Sequence, residues 1–326
     1  MDGPLIECVP NVSEGRNKQL LGRLSDLISR QAGVKLLHVD MGYDANRTVF
    51  TYAGAPEPVL AASFELYAFC KTHIDMRFHK GSHSRIGAVD VCPFVPVNGI
   101  DMEEVIRLAN DFGKRIGKEL GIPVYLYEQS AKTEERQNLA NIRRGEFELL
   151  AQKMKDPSWY PDFGPGMPSS KFGATAIGAR SFLIAYNINL RSDAPLEVAK
   201  KMAGILRESG TSKHPGLFKG LKAIGWHQPQ FGCCQLSTNI VDPDNVNMGR
   251  LFQSATRLAH AMGYDTDGSE LIGLIPKRYL AAAGQCMAAG ENQSLEIVIN
   301  KLGLATLNEF DLNKRILELA LESDLI

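Results

Sequence analysis

The chain has 326 residues, with 36 basic and 37 acidic side chains and a formal net charge of -1 at pH 7. That balance excludes broad binding to nucleic acid or to a charged membrane surface, so any electrostatic recognition must be local. Hydrophobic residues make up 44% and charged residues 22%, an ordinary globular composition, and the length suggests two domains.

The N-terminal stretch Met1 to Glu7 is acidic and lacks an apolar h-region, so no signal peptide is expected. No run approaches the roughly 18 apolar residues that span a bilayer. The cysteines Cys8, Cys70, Cys92, Cys233, Cys234 and Cys286 form no C-x-x-C pair and sit mostly in apolar runs. They read as reduced, partly buried thiols of a cytoplasmic protein, with no zinc site of paired cysteines.

In chain order, Leu5 to Val12 predicts a strand. Asn17 to Gln31 predicts a helix, with Leu20, Leu21, Leu24, Leu27 and Ile28 at helical spacing. Val34 to Met41 and Thr48 to Tyr52 predict strands joined by the turn Gly42 to Arg47. Glu57 to His73 predicts a helix, and Ile86 to Phe94 a buried strand. Asp101, with Glu104 three residues on, caps a further helix, which Gly121 and Pro123 close before a short strand from Val124 to Tyr127.

The second half repeats this order without repeating the sequence. Ser181 to Leu190, Leu221 to His227, Gly232 to Asn239 and Leu271 to Ile275 predict strands. Pro195 to Ser209 and Asn247 to Met262 predict helices, and the tail from Lys277 is helical. The fold class is therefore α+β. Two βαββαβ units suggest two ferredoxin-like subdomains, 1–178 and 179–326, each a mainly antiparallel sheet with helices packed on one face.

Between the halves, Asp156 to Gly178 is rich in proline and glycine and reads as a linker. Trp159, Phe163 and Phe172 are poor linker residues, and the alternative is a ligand loop whose aromatics stack on a flat ligand. Its glycines match neither the phosphate loop nor the dinucleotide fingerprint, because Lys171 is followed by Phe172 and no G-x-G-x-x-G opens a helix.

The densest chemistry lies in Asp75 to Arg85, which gathers Arg77, His79, Lys80, His83 and Arg85 around Gly81, with no acid between Asp75 and Asp90. Such a cationic knot on a neutral chain points to an anionic ligand beside a titratable histidine. His79 and His83 stand four apart, but the glycine and the neighbouring cations argue against a metal. The plain structural reading is that one or both histidines bond the backbone of a turn. The functional one is a general base, since arginines strip a proton from a nearby histidine. Strand alternation puts Asp40 and His38 on one face, opposite Leu37 and Val39. Asp40 orients a histidine, faces a cationic substrate, or simply caps the turn before Gly42. Asn46, Arg47 and Thr48 read as turn chemistry, and Arg136 reads as a surface residue.

These segments together resemble the formiminotransferase domain of folate-dependent glutamate formiminotransferases, which in mammals is the N-terminal part of formiminotransferase-cyclodeaminase. The matching stretches include Glu7 to Gly15, Asn46 to Phe50, His79 to His83 with Arg85, Gly87 to Val97, Pro123 to Tyr127, Pro161 to Pro165, Phe172 to Thr175, Gly178 to Leu190, Ala223 to Trp226, Gln235 to Asn239 and Leu271 to Pro276. The likeness runs from about Leu5 to about Ala283. It departs at Ser82 and Ser84, where the family often has glutamate and proline, and at His38, where it often has aspartate.

The resemblance implies a cytoplasmic homodimer that moves the formimino group of N-formimino-L-glutamate to N5 of tetrahydrofolate in histidine degradation. It implies His83 as catalytic histidine, Asp40 and Arg136 as its companions, and a folate-binding loop of Gly164, Pro165, Gly166, Met167, Pro168, Ser169, Ser170, Lys171, Phe172 and Gly173. In that mechanism His83 shuttles the N5 proton to the departing nitrogen. Arg136, Arg85, Lys80 and Lys171 are candidates for the carboxylates of donor and folate. The chain ends near where a cyclodeaminase domain would begin, so that activity is expected to be absent. Formyl transfer from N-formylglutamate and a non-catalytic folate-binding module are the competing readings.

Overall fold

The computed structural model describes residues 3–229, 231–288, 293–307 and 309–322. The chain divides into two compact units, Met1–Arg180 and Ser181–Ile326.

In the first unit the chain runs through β1 (Leu5–Cys8), β2 (Asn11–Val12), α1 (Lys18–Ser29), β3 (Val34–Gly42), β4 (Arg47–Gly54), α2 (Pro56–His73), β5 (Val89–Asn98) and α3 (Met102–Glu119). It continues through β6 (Val124–Leu126), three short helices α4 (Glu134–Gln137), α5 (Leu139–Arg143) and α6 (Glu146–Lys153), and β7 (Thr175–Ala179). The expected first strand is two pieces in line, β1 and β2, both lying between β4 and β5. Pro10, which has no N–H to give a ladder, sits at the break. Across the sheet the order is β3-β4-β1/β2-β5-β7-β6, antiparallel except for β7, which runs parallel to β5 and β6.

The helices form for the expected reasons. Asn17 accepts from Leu20 N at 3.0 Å to open α1, and Leu21, Leu24 and Ile28 are buried along its inner face. Asp101 accepts from Glu104 N at 2.8 Å to open α3. These helices and α2 cover one face of the sheet, where Ile6, Cys8, Phe50, Tyr52, Cys92 and Phe94 make the core. On the other face α5 and α6 cover the β6–β7 side, packing Ile142, Leu150 and Met154 on Val91, Tyr125, Tyr127 and Ala176.

The second unit has β8 (Ile184–Leu190), α7 (Leu196–Leu206), β9 (Leu221–Gln228), β10 (Cys233–Ile240), α8 (Met248–Ala261) and β11 (Thr266–Ile272). Its four-stranded antiparallel sheet has the order β11-β8-β10-β9. The tail forms α9 (Lys277–Met287), α10 (Leu295–Leu302), α11 (Leu312–Arg315) and α12 (Leu317–Glu322). The molecule is thus mixed, with two sheets and helices, as an α+β reading requires. Among the described residues no helix is long and apolar enough to cross a membrane.

Two expectations shift. The stretch read as linker ends in β7, a buried strand inside the first sheet. The last strand of the second unit begins at Thr266 rather than Leu271, because Thr266, Ser269 and Glu270 carry the ladder without apolar alternation, across an irregularity at Asp267 and Gly268.

Candidate active site

Two register shifts turn polar groups onto the sheet face away from α1–α3. In β3 the pairing steps from Leu36–Tyr52 to His38–Thr51, so Leu37 is an extra residue. Beyond this bulge Val39 pairs with the core residue Phe50, while Asp40 pairs with Val49 and Gly42 with Arg47. Asp40 and Arg47 therefore share the face opposite the core. In β5 the pairing to β2 steps from Val91 to Val89, which leaves Asp90 as the extra residue. Bulges of this kind re-aim one side chain. Asp90 is fully buried; Ile86 N donates to its Oδ1 at 2.8 Å and Arg143 Nε to its Oδ2 at 2.9 Å. The half-buried Arg143 is thereby delivered to the same cluster.

The cationic loop is stitched to the β3–β4 turn by its first histidine. His79 Nε2–H donates to the Asn46 carbonyl at 2.7 Å, and Arg85 Nε donates to His79 Nδ1 at 3.1 Å. One nitrogen donates and the other accepts, so His79 is neutral, and burial first of all lowers its pKa. Asn46 sits at φ +47°, donates from Nδ2 to the Lys80 carbonyl at 3.0 Å, and accepts from Gly15 N at 2.9 Å. Asparagine tolerates this left-handed backbone. Gly81 lies so close to the turn that a Cβ would come within 2.1 Å of the Ala45 carbonyl oxygen.

This stitching sets His83 against Arg47. His83 Nδ1–H donates to the Ser84 carbonyl at 2.7 Å, and Arg47 Nη1 donates to His83 Nε2 at 2.6 Å. The carbonyl fixes the proton on Nδ1 and leaves the Nε2 lone pair toward Arg47. Burial, then the charges of Arg47 and Arg143, push the His83 pKa down to about 4, so the ring is neutral at pH 7. Burial and Arg143 likewise push Arg47 down to about 10, against the opposing pull of Asp90 and Asp40. Asp40 is half-buried, and its carboxylate accepts no hydrogen bond among the described residues. Its charge acts on Arg47 through space.

The other expected residues are held by partners of their own. Arg136 is buried, not on the surface. Its Nη1 donates to Asp162 at 2.9 Å and its Nη2 to the carbonyls of Ser158 and Tyr160 at 2.7 and 2.8 Å. The guanidinium also lies 5.3 Å from the Tyr125 ring centre. It clamps the segment leading into Gly164. Arg85 is buried between Glu146 and Glu148, at 2.7 Å from each. Lys171 Nζ donates to the Thr72 carbonyl at 2.7 Å, and Lys80 is exposed beside Glu148.

The loop from Gly164 to Gly173 splits into two parts. Gly164 has φ +84°, and a Cβ there would meet the Ile122 carbonyl oxygen at 2.3 Å, so the turn requires glycine. Gly164, Pro165, Gly166, Met167 and Ser170 are exposed, Met167 to 75%, and Pro168 and Ser169 are half-buried. Gly173 N donates to the Ser169 carbonyl at 2.7 Å and closes the loop. The Phe172 ring is fully buried and stacks on Tyr67 with centroids 6.2 Å apart, so it is a core residue and not a stacking platform. Trp159 is half-buried, with Lys153 Nζ 3.5 Å from its ring centre.

Residues 5–180 match the family described as "Formiminotransferase domain, N-terminal subdomain", and residues 185–322 match "Formiminotransferase domain". The chain belongs to the formiminotransferase family. It is 39% identical over 276 residues to "Glutamate formimidoyltransferase" of Streptococcus pyogenes serotype M1, covering 85% of this chain and 90% of that protein. It is 40% identical over 278 residues to the Thermoplasma acidophilum protein of the same name, covering 85% and 89%. It is 44% identical over 322 residues to "Formimidoyltransferase-cyclodeaminase" of Mus musculus, covering 96% of this chain but 59% of that protein. The chain thus spans about three fifths of the length of the mouse relative.

Arg47, Asp90 and Arg143 stand in the His83 cluster, and sequence reasoning placed none of them there. Arg47 stood in a turn, and Asp90 and Arg143 join the cluster only through the β5 bulge.

Proposed function

We propose that this chain transfers the formimino group from N-formimino-L-glutamate to N5 of tetrahydrofolate, giving 5-formiminotetrahydrofolate and L-glutamate. The observation that carries the reading is the neutral His83, its Nε2 lone pair held under Arg47 beside Asp40 and Arg143. Family membership and the names of the two microbial relatives support the same chemistry.

In the proposed reaction N5 attacks the amidine carbon and a C–N5 bond forms. His83 Nε2 takes the N5 proton, and the imidazolium returns it to the glutamate nitrogen as the old C–N bond breaks. Such a positioned shuttle is worth roughly a hundred- to ten-thousand-fold. Arg47 must first leave Nε2. A substrate carboxylate is the natural partner to draw it away, since arginine forks fit carboxylates. Losing that adjacent charge also makes the imidazole more basic. Asp40 stabilises the cationic formiminium carbon. Arg136 acts through the segment it clamps, holding the folate-binding loop Gly164 to Gly173, whose ligand-facing part is Pro165 to Ser170.

The strand orders support reading each unit as a ferredoxin-like subdomain, 1–178 and 179–326. Free cysteines fit a reducing cytoplasm, and the family resemblance fits a homodimer that meets folate and formiminoglutamate rather than nucleic acid or membrane.

The test is to mix the protein with tetrahydrofolate and N-formimino-L-glutamate and to follow folate absorbance together with free glutamate. Equal appearance of both products is expected. Turnover with N-formyl-L-glutamate alone would overturn the formimino assignment.

A further inference from the structure

Glu7 stands in the middle of the first sheet, on β1 between β4 and β5. Its strand neighbours Ile6 and Cys8 point into the core, so Glu7 faces the side away from α1–α3. There it lies beside Ala53 of β4 and Val95 of β5 and is only 6% exposed. Among the described residues its carboxyl group accepts no hydrogen bond and forms no ion pair. The Arg180 charge acts on it, but burial prevails and lifts its pKa to about 7. A mostly buried carboxyl group without a protein donor in a central strand is suited to an occupant that supplies N–H groups.

The spacing between its row and the Asp40 row limits what that occupant is. Glu7 pairs with Val95, and Asn11 pairs with Val91 and Val49, the residue opposite Asp40. The two rows are four residues apart along β5, roughly 13 Å at strand rise. A fused bicycle with a hydrogen bond at each end spans about 12 Å. The pterin ring of a folate has that size. Its N5 lies on one ring and its 2-amino and N3–H donors lie at the far edge of the other. Two parallel N–H groups on an amidine-like edge are the geometry that a carboxylate accepts best.

We propose that Glu7 is a folate-binding residue that accepts from N3–H and the 2-amino group of the pterin while N5 lies toward His83. This rests on the folate reading given above.

Glu7→Gln keeps the size but replaces one acceptor by a donor. Binding of 5-formyltetrahydrofolate and of its analogue with the 2-amino group replaced by methyl is titrated on both proteins, with thermal unfolding alongside. Wild type is expected to favour the 2-amino ligand by at least tenfold. Glu7→Gln is expected to bind it at least tenfold more weakly, to lose the discrimination, and to unfold at no lower temperature, since a buried carboxyl group has been removed. Discrimination retained in Glu7→Gln overturns the proposal, as does equal weakening of both ligands with a lower Tm, the mark of a structural role. If wild type binds neither folate, the folate reading itself fails, and this assignment with it.

Discussion

The Arg47 guanidinium donates to Nε2 of His83 at 2.6 Å, so the nitrogen assigned to proton transfer is covered by a cation. In the proposed mechanism this base is occupied until substrate charge draws Arg47 away. Arg47→Gln should therefore raise the His83 pKa from about 4 toward 6.5 and reduce turnover by tenfold or more. NMR titration of the imidazole and steady-state rates check the two halves separately.

The lowered pKa of His83 has a stability consequence. Below its ordinary value of 6.5 the unfolded chain binds a proton that the folded ring refuses until about 4. Stability is therefore lost as pH falls from 6.5 toward 4. His79, also lowered, acts in the same direction. Urea unfolding at a series of pH values should show this slope, and His83→Gln should flatten it. An unchanged slope would mean that His83 titrates normally.

The Asp40 carboxylate accepts no hydrogen bond among the described residues and faces a cationic cluster from a bulged strand. If it serves the charged formiminium carbon, Asp40→Asn should lower formimino transfer by about a hundredfold with little change in folate affinity. A loss confined to folate affinity would move Asp40 out of the chemistry.

Arg136→Met would leave Asp162, whose side chain is 5% exposed, facing Lys132 at 3.6 Å without its main partner. Loss of a buried pair costs about 3 kcal/mol. Both Tm and folate affinity should fall, while the His83 pKa should stay near 4. Phe172→Ala should act on stability by about 3 kcal/mol or more through the core, because its ring lies on Tyr67.

Much of this was legible in the chain. Alternating apolar runs, the Asn17 and Asp101 caps and the turn at Gly42 to Arg47 gave the element order. The crowding of His79, Lys80, His83 and Arg85 marked the loop. Single extra residues were not legible. The bulge at Leu37 sets the phase that puts Asp40 on the Arg47 face, and the bulge at Asp90 brings in Arg143. Nothing in the local composition announces either one. Arg136 looked solvated because its neighbours Glu134, Glu135 and Gln137 are exposed, yet it turns inward to three acceptors. Phe172 looked like a ligand-loop aromatic because β7 begins only at Thr175, and its partner Tyr67 is distant in sequence.

The central claim is that His83 carries the proton between N5 and the departing glutamate nitrogen. The direct measurement is single-turnover formimino transfer by His83→Ala, with folate binding measured on the same preparation. The account expects turnover to fall by roughly a hundred- to ten-thousand-fold with folate still bound. Near-normal turnover would contradict it.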